Sequence, residues 1–148
     1  MPMHSSSSSL SRRQKPNNNN ENAISKSMSA EEEVKLAALA ITLNVRLRSA
    51  DMPFAMQAHA LRYAGTLLLQ PANHRPNPSL LARSLKKEFD SMYGPAWHCV
   101  VGKSFGSFVT HSPGGFVYFS LESFSFLLFK TEVQLITEEA VVPTPAAR

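Results

Sequence analysis

The sequence predicts an α+β domain over residues 44–131, with elements in the order β-α-α-β-β-β-β. Three observations lead there. "NVRLRSAD" alternates Val45 and Leu47 against Arg46 and Arg48, which is a strand with one wet face. Two stretches then carry apolar residues at helical spacing, separated by the Pro/Asn loop "QPANHRPNPS". After them come four short runs of aromatic and β-branched residues, punctuated by Gly, Pro and Ser.

Each element has its own grounds. Asp51 is placed to cap the first helix of the domain, with Pro53 tolerated in its opening turn. Met56, Ala60, Ala64, Leu67 and Leu68 make its apolar stripe. Asn77-Pro78 is a cap followed by Pro at the first helical position, and opens the second helix. Leu81, Leu85 and Phe89 lie four apart on its inner face, with Met92 expected to join them. Gly94-Pro95 ends that helix. "WHCVVGK" and "SFGSFVTH" read as the next two strands, "SPGG" as a tight turn, and "FVYFSL" and "FSFLLFK" as the last two strands.

The flanks differ in composition. Met1 to about Met28 has a Ser run and an Asn run, with too little apolar surface to offset chain entropy, so disorder is expected. It lacks the apolar segment of a secretory signal. Ser29 and Glu32 form a capping-box pattern that opens a helix near 30–41 inside this 1–43 extension. Residues 132–148 read as a flexible tail.

Charge and cysteine usage narrow the function. The chain has 148 residues, of which 43% are hydrophobic and 18% charged, with a formal charge of +4. Between Asn44 and Thr131 stand nine Lys or Arg against four Asp or Glu, but they form no long basic run, so no nucleic-acid partner is expected. No apolar run is long enough for a membrane span. A single Cys suits a reducing compartment, and no cofactor or metal set suggests itself.

The run Tyr93 to His111, "YGPAWHCVVGKSFGSFVTH", holds the candidates for chemistry. His98 and Cys99 are adjacent on a strand and so point to opposite faces, which rules them out as base and nucleophile. Cys99 shares a face with Trp97 and Val101 and reads as an inert core thiol. His98 and His111 lack supporting metal ligands, and Glu88 and Asp90 point apart on a helix. No catalytic residue is expected. Gly106 is the more informative position, because a glycine inside a strand marks either a bulge or the close approach of another backbone. Ser107 and Thr110 offer hydroxyls beside it, and Phe105, Phe116 and Tyr118 could floor a groove. Such an edge binds by main-chain hydrogen bonds and discriminates through side-chain pockets.

The block "SLKKEFDSMYGPAWHCVVGKSFGSFVTH", followed by "FVYFSL" and "LLFK" and preceded by "ADM" at Ala50 to Met52, closely resembles the small dimeric dynein light chain family, type 1. The resemblance covers about Val45 to Lys130. It implies a non-enzymatic homodimer whose sheet is completed by a strand exchanged between subunits, supplied or flanked by Lys103 to His111. It implies a peptide-binding groove of Phe105, Gly106, Ser107, Phe108, Val109, Thr110, Phe116 and Tyr118, bordered by Pro78 and Ser79 of the second helix. It places His98, Val101, Ser104 and Phe108 at the subunit contact, where protonation of a buried His98 would oppose the dimer. The partners it implies are dynein intermediate chain-like proteins, or other proteins with short disordered linear motifs, in the cytoplasm and on the cytoskeleton. The alternative is a structural subunit docked permanently in one assembly.

The chain also departs from the family. Pro78-Ser79 stand where a Glu-Lys pair helps read a partner Gln, after a longer loop. Ser120 replaces an aromatic, and Phe108 a Tyr. A lost polar reader is a loss of discrimination, so partner preference is expected to differ.

Overall fold

A computed structural model describes residues 27–71, 73–134 and 136. Most of the low-complexity N-terminal stretch, and the tail from 137 on, lie outside the described residues.

Helix α1 (Ala30–Leu43) opens where Ser29 Oγ accepts the Glu32 N–H at 3.1 Å, with Glu31, Glu32 and Glu33 in the first turn. Asn44 ends it in the left-handed conformation, φ 56. It packs on the following helix and buries Leu36. Strand β1 (Val45–Asp51) leads into α2 (Phe54–Leu68). The cap expected from Asp51 is corrected here: Pro53 is the N-cap residue. Asp51 is still in β1, and its Oδ2 accepts the Gly114 N–H at 3.0 Å, which ties down a distant turn. The buried Gln57 amide donates to the Met52 carbonyl at 2.6 Å and joins the end of β1 to α2.

Helix α3 (Pro78–Tyr93) starts on Asn77, whose Oδ1 accepts the Leu80 N–H at 2.9 Å. Leu81, Leu85 and Phe89 are completely buried. Met92 is exposed instead of joining them, because the four-residue row continues to Tyr93, which packs against the core. Gly94, at φ 75, stops the helix. Asp90 then fixes the entry of the next strand. Its Oδ1 accepts the Trp97 N–H at 2.8 Å, and its other oxygen accepts from Lys86. Burial works to raise this carboxyl, but the Lys86 and Trp97 hydrogen bonds outweigh it and hold Asp90 below the ordinary carboxylate range.

Strands β2 (Trp97–Gly102), β3 (Phe116–Leu121) and β4 (Phe124–Lys130) complete a four-stranded antiparallel sheet in the order β1-β3-β4-β2. Three helices therefore pack on one antiparallel sheet. The core lies between them, with Val117, Phe119, Leu121, Phe126 and Leu128 facing the helices.

One expected strand is absent from the subunit. Residues 105–111 form no strand, although "SFGSFVTH" has the right composition. An extended segment becomes a strand only where a neighbour takes up its N–H and C=O groups. The chain leaves the sheet after Gly102 and rejoins it at Ser112, whose N–H donates to the Lys130 carbonyl at 2.7 Å. Gly115 permits that return, since a Cβ there would lie 2.8 Å from Lys130 Cβ.

Candidate peptide-binding face

Because antiparallel partners point to the same side, the register fixes which residues line the helix-free face. One row across the sheet is Asp51, Phe116, Phe129 and His98. The next is Ser49, Tyr118, Leu127 and Val100, and the third is Arg46, Ser120, Ser125 and Gly102. Two of these rows are largely apolar, and no helix covers them. His111 stacks on Phe116 with ring centroids 4.8 Å apart, and His98 stacks on Phe129 at 5.1 Å. His98 is exposed, and its Nε2 meets Thr131 Oγ1 at 2.9 Å.

Phe105 folds back over this face. A Cβ on Gly102 would lie 3.3 Å from its ring, and the ring is 6.2 Å from that of Tyr118. Phe105, Phe116 and Tyr118 thus come together beside the segment that leaves the sheet. Along it, Gly106, Ser107, Phe108 and Thr110 are exposed, and Val109 is partly buried. Phe108 is fully exposed and is the most open large apolar side chain described. A Cβ added at Gly106 would meet nothing within 4 Å, and the residue's φ lies outside the left-handed region. Neither strain nor crowding within the subunit calls for a glycine there.

Other expected site residues fall elsewhere. Pro78 and Ser79 begin α3, whose packing is against α2, β2 and β4 on the opposite side of the sheet. Ser104 is exposed just past β2. Val101 faces the helices with Cys99, packed against the core. The residues that sequence reading missed on the open face are Val100, Leu127 and Phe129. The signal for Val100 was the alternation of "WHCVVGK", and that for Leu127 and Phe129 the two-residue period of "FSFLLFK", which a strand with apolar residues on both faces obscures.

Cys99 has part of its surface open, yet burial pushes its thiol up from the ordinary value of 9.0 to about 12. The folded chain keeps the protonated form. Iodoacetamide at pH 8 should therefore label native protein at least about a hundredfold more slowly than urea-unfolded protein. Because the unfolded thiol ionises first, its contribution to stability is intact below pH 9 and is lost as pH rises towards about 12. Equal labelling rates would show that the thiol is accessible and unperturbed. Among the described residues no group of His, Cys, Asp and Glu could hold a metal, and no helix is long and apolar enough to cross a membrane.

Residues 44–131 match the family model described as dynein light chain type 1. The chain belongs to that family. A dynein light chain of Schistosoma mansoni is 40% identical over 85 residues, covering 57% of this chain and 91% of the relative. A cytoplasmic dynein light chain 1 of Debaryomyces hansenii is also 40% identical over 85 residues, covering 57% of this chain and 89% of the relative. Among solved structures, the dynein light chain-like domain of a Fasciola hepatica calcium-binding protein superposes with a TM-score of 0.52 at 20% identity, over 60% of this chain and 93% of that domain. That likeness is one of fold. The family is a non-enzymatic family of structural adaptors.

Proposed function

We propose that this chain is a non-catalytic homodimeric adaptor that takes short extended segments of partner proteins by strand addition. The observation that carries the reading is the run from Phe105 to Thr110. It lies outside every strand, is exposed at Gly106, Ser107, Phe108 and Thr110, and borders an aromatic sheet face that no helix covers. In the dimer this run crosses to pair on the free edge of the partner's β2. Phe108, Ser104 and His98 meet the partner on the open face, and Val101 holds that edge from the core side. The groove consists of Phe105 to Thr110 with Phe116 and Tyr118, and Pro78 and Ser79 of the other subunit's α3 border it. Two parallel grooves hold two partner chains side by side, which converts modest single-site affinity into avidity. The relative named as a cytoplasmic dynein light chain supports a cytoplasmic placement; the proposal extends this to a dynein motor complex on the cytoskeleton, with intermediate chain-like proteins or other proteins carrying short disordered motifs as partners.

Calorimetry tests this directly. A Gln-containing peptide of the family type, run beside an unbiased peptide pool, should bind with one peptide per chain. Gly106→Val should weaken that binding at least about tenfold by blocking the backbone approach, while leaving subunit stability within about 0.5 kcal/mol. A folded dimer that binds no extended peptide would refute the adaptor reading.

A further inference from the structure

Helix α1 lies wholly before residues 44–131, the part of the chain that matches the family. It is apolar on two sides. The inner side buries Leu36 and sets Leu39, Ala40 and Leu43 against the core. The outer side carries Ala30, Val34, Ala37 and Ile41, all of them exposed. Their spacing of four, three and four residues is that of a coiled-coil seam, with β-branched residues alternating with alanines. Val34 is 69% exposed and Ile41 81%. A helix with only one neighbour needs only one apolar face, so the outer row has no use inside the subunit. Thr42, which follows Ile41, borders a recess of about 410 Å³ that also holds Leu69, another open side chain. Apolar surface thus continues from the end of α1 onto the end of α2.

The charge beside the seam is of one sign and at one end. Glu31 and Glu33 flank it on either side in the first turn. Glu31 is paired with Lys35 at 3.1 Å, but among the described residues Glu33 has no basic group within 4.0 Å. This pattern selects the occupant. A second copy laid parallel would set the acidic turns side by side. Laid antiparallel, it would set them against the helix C-terminus, which has a negative dipole and no basic residue in its last turn. The chain's own flanks offer no match either. Residues 1–26 have Leu10 and Ile24 as their only Leu, Ile, Val or aromatic residues, and 137–148 carry Pro143 and Pro145 after Val142. An anionic lipid surface would be repelled, since helices that lie on such surfaces carry Lys and Arg beside the apolar face.

We propose that the outer face of α1 docks an amphipathic helix of another protein, one that brings Leu-sized residues against Ala30 and Ala37 and Lys or Arg beside Glu31 and Glu33. The alanines leave hollows that larger side chains fill, as facing positions of unlike size do in packed helices. The basic flanks fix which partner is taken and in which direction it lies. The site is separate from the peptide-binding face, because α1 packs on α2, on the helix side of the sheet.

Fluorescence polarisation on the full-length protein tests it. The probes are labelled synthetic helices of about three heptads, with Leu along the seam and Lys, Gln or Glu at the flanking positions. The Lys peptide should bind the unaltered protein at least about tenfold more tightly than the Glu peptide, with the Gln peptide between them. The Val34→Gln, Ile41→Gln double variant should lose the Lys peptide while keeping its helix content and urea midpoint. The Glu31→Gln, Glu33→Gln double variant should bind the three peptides alike. If the unaltered protein already binds them alike, or the Val34→Gln, Ile41→Gln variant still takes the Lys peptide, the proposal is overturned. It is also overturned if that variant loses binding to phosphatidylserine vesicles shown by the unaltered protein, which assigns the face to a membrane. A fall in sedimentation coefficient in the same variant assigns the face to a second copy and overturns it as well.

Discussion

Replacing Phe89 by Ala should lower the stability of the folded chain by about 3–5 kcal/mol. Phe89 has no exposed surface. Its ring lies 4.9 Å from that of Trp97, 4.9 Å from that of Tyr93 and 5.1 Å from that of His59, so three elements meet on one side chain. The last of these contacts is held from both sides. His59 Nδ1 meets the Tyr93 hydroxyl at 2.8 Å and Nε2 meets Glu88 at 3.1 Å, so the imidazole cannot swing in to fill the space. The cavity stays open, and the full transfer and cavity cost is incurred. A domain of this size has roughly 5–15 kcal/mol in total, so the variant should be close to unfolding at room temperature. Urea melts at one fixed protein concentration give the measurement, with exposed Leu80→Ala as a control expected within about 0.5 kcal/mol. A loss below about 1 kcal/mol at Phe89 would mean that the aromatic cluster is not where α2, α3 and β2 are joined.

That cluster was legible in the sequence, because Leu81, Leu85 and Phe89 repeat at the spacing of one helix face and Gly94-Pro95 marks the end. Trp97 and Cys99 were likewise separated from His98 by strand alternation alone. What could not be read was anything set by hydrogen-bond partners far along the chain. Asp51 looks like a cap because it precedes a Pro and an apolar run. Its use for Gly114 depends on a turn some sixty residues later, which no local pattern encodes. The irregularity at Arg48 is of the same kind, since "RLRS" alternates cleanly and only pairing with β3 reveals the extra residue. The segment 105–111 is the sharpest case. Its composition reports that it is extended and two-faced, but composition is silent on which chain supplies the neighbouring strand. Within the subunit there is none, and the sequence resemblance rather than the pattern pointed to a second copy.

Phe108→Glu follows from that same segment, and it should convert the dimer to monomer, weakening association by at least about a hundredfold. In the subunit Phe108 touches the core nowhere and is fully open to solvent. Its large ring is placed where an isolated chain would gain nothing from it. If the crossing run pairs on the partner's β2, the ring is covered there. Burying a Phe side chain is worth about 1.5–3 kcal/mol, and burying an unpaired carboxylate in its place costs more. His98 and Phe129 border the same open face, so the new charge would be placed against aromatic rings. Sedimentation equilibrium at neutral pH distinguishes the outcomes, and circular dichroism shows whether the subunit still folds. A folded monomer is the expected result, because the substituted side chain contributes to no contact inside the subunit. On the adaptor reading the peptide site should disappear with the dimer, because strand and bordering helix would then come from different copies. A variant that remains dimeric with undiminished affinity would place Phe108 outside the contact and would move the crossing strand away from residues 105–111.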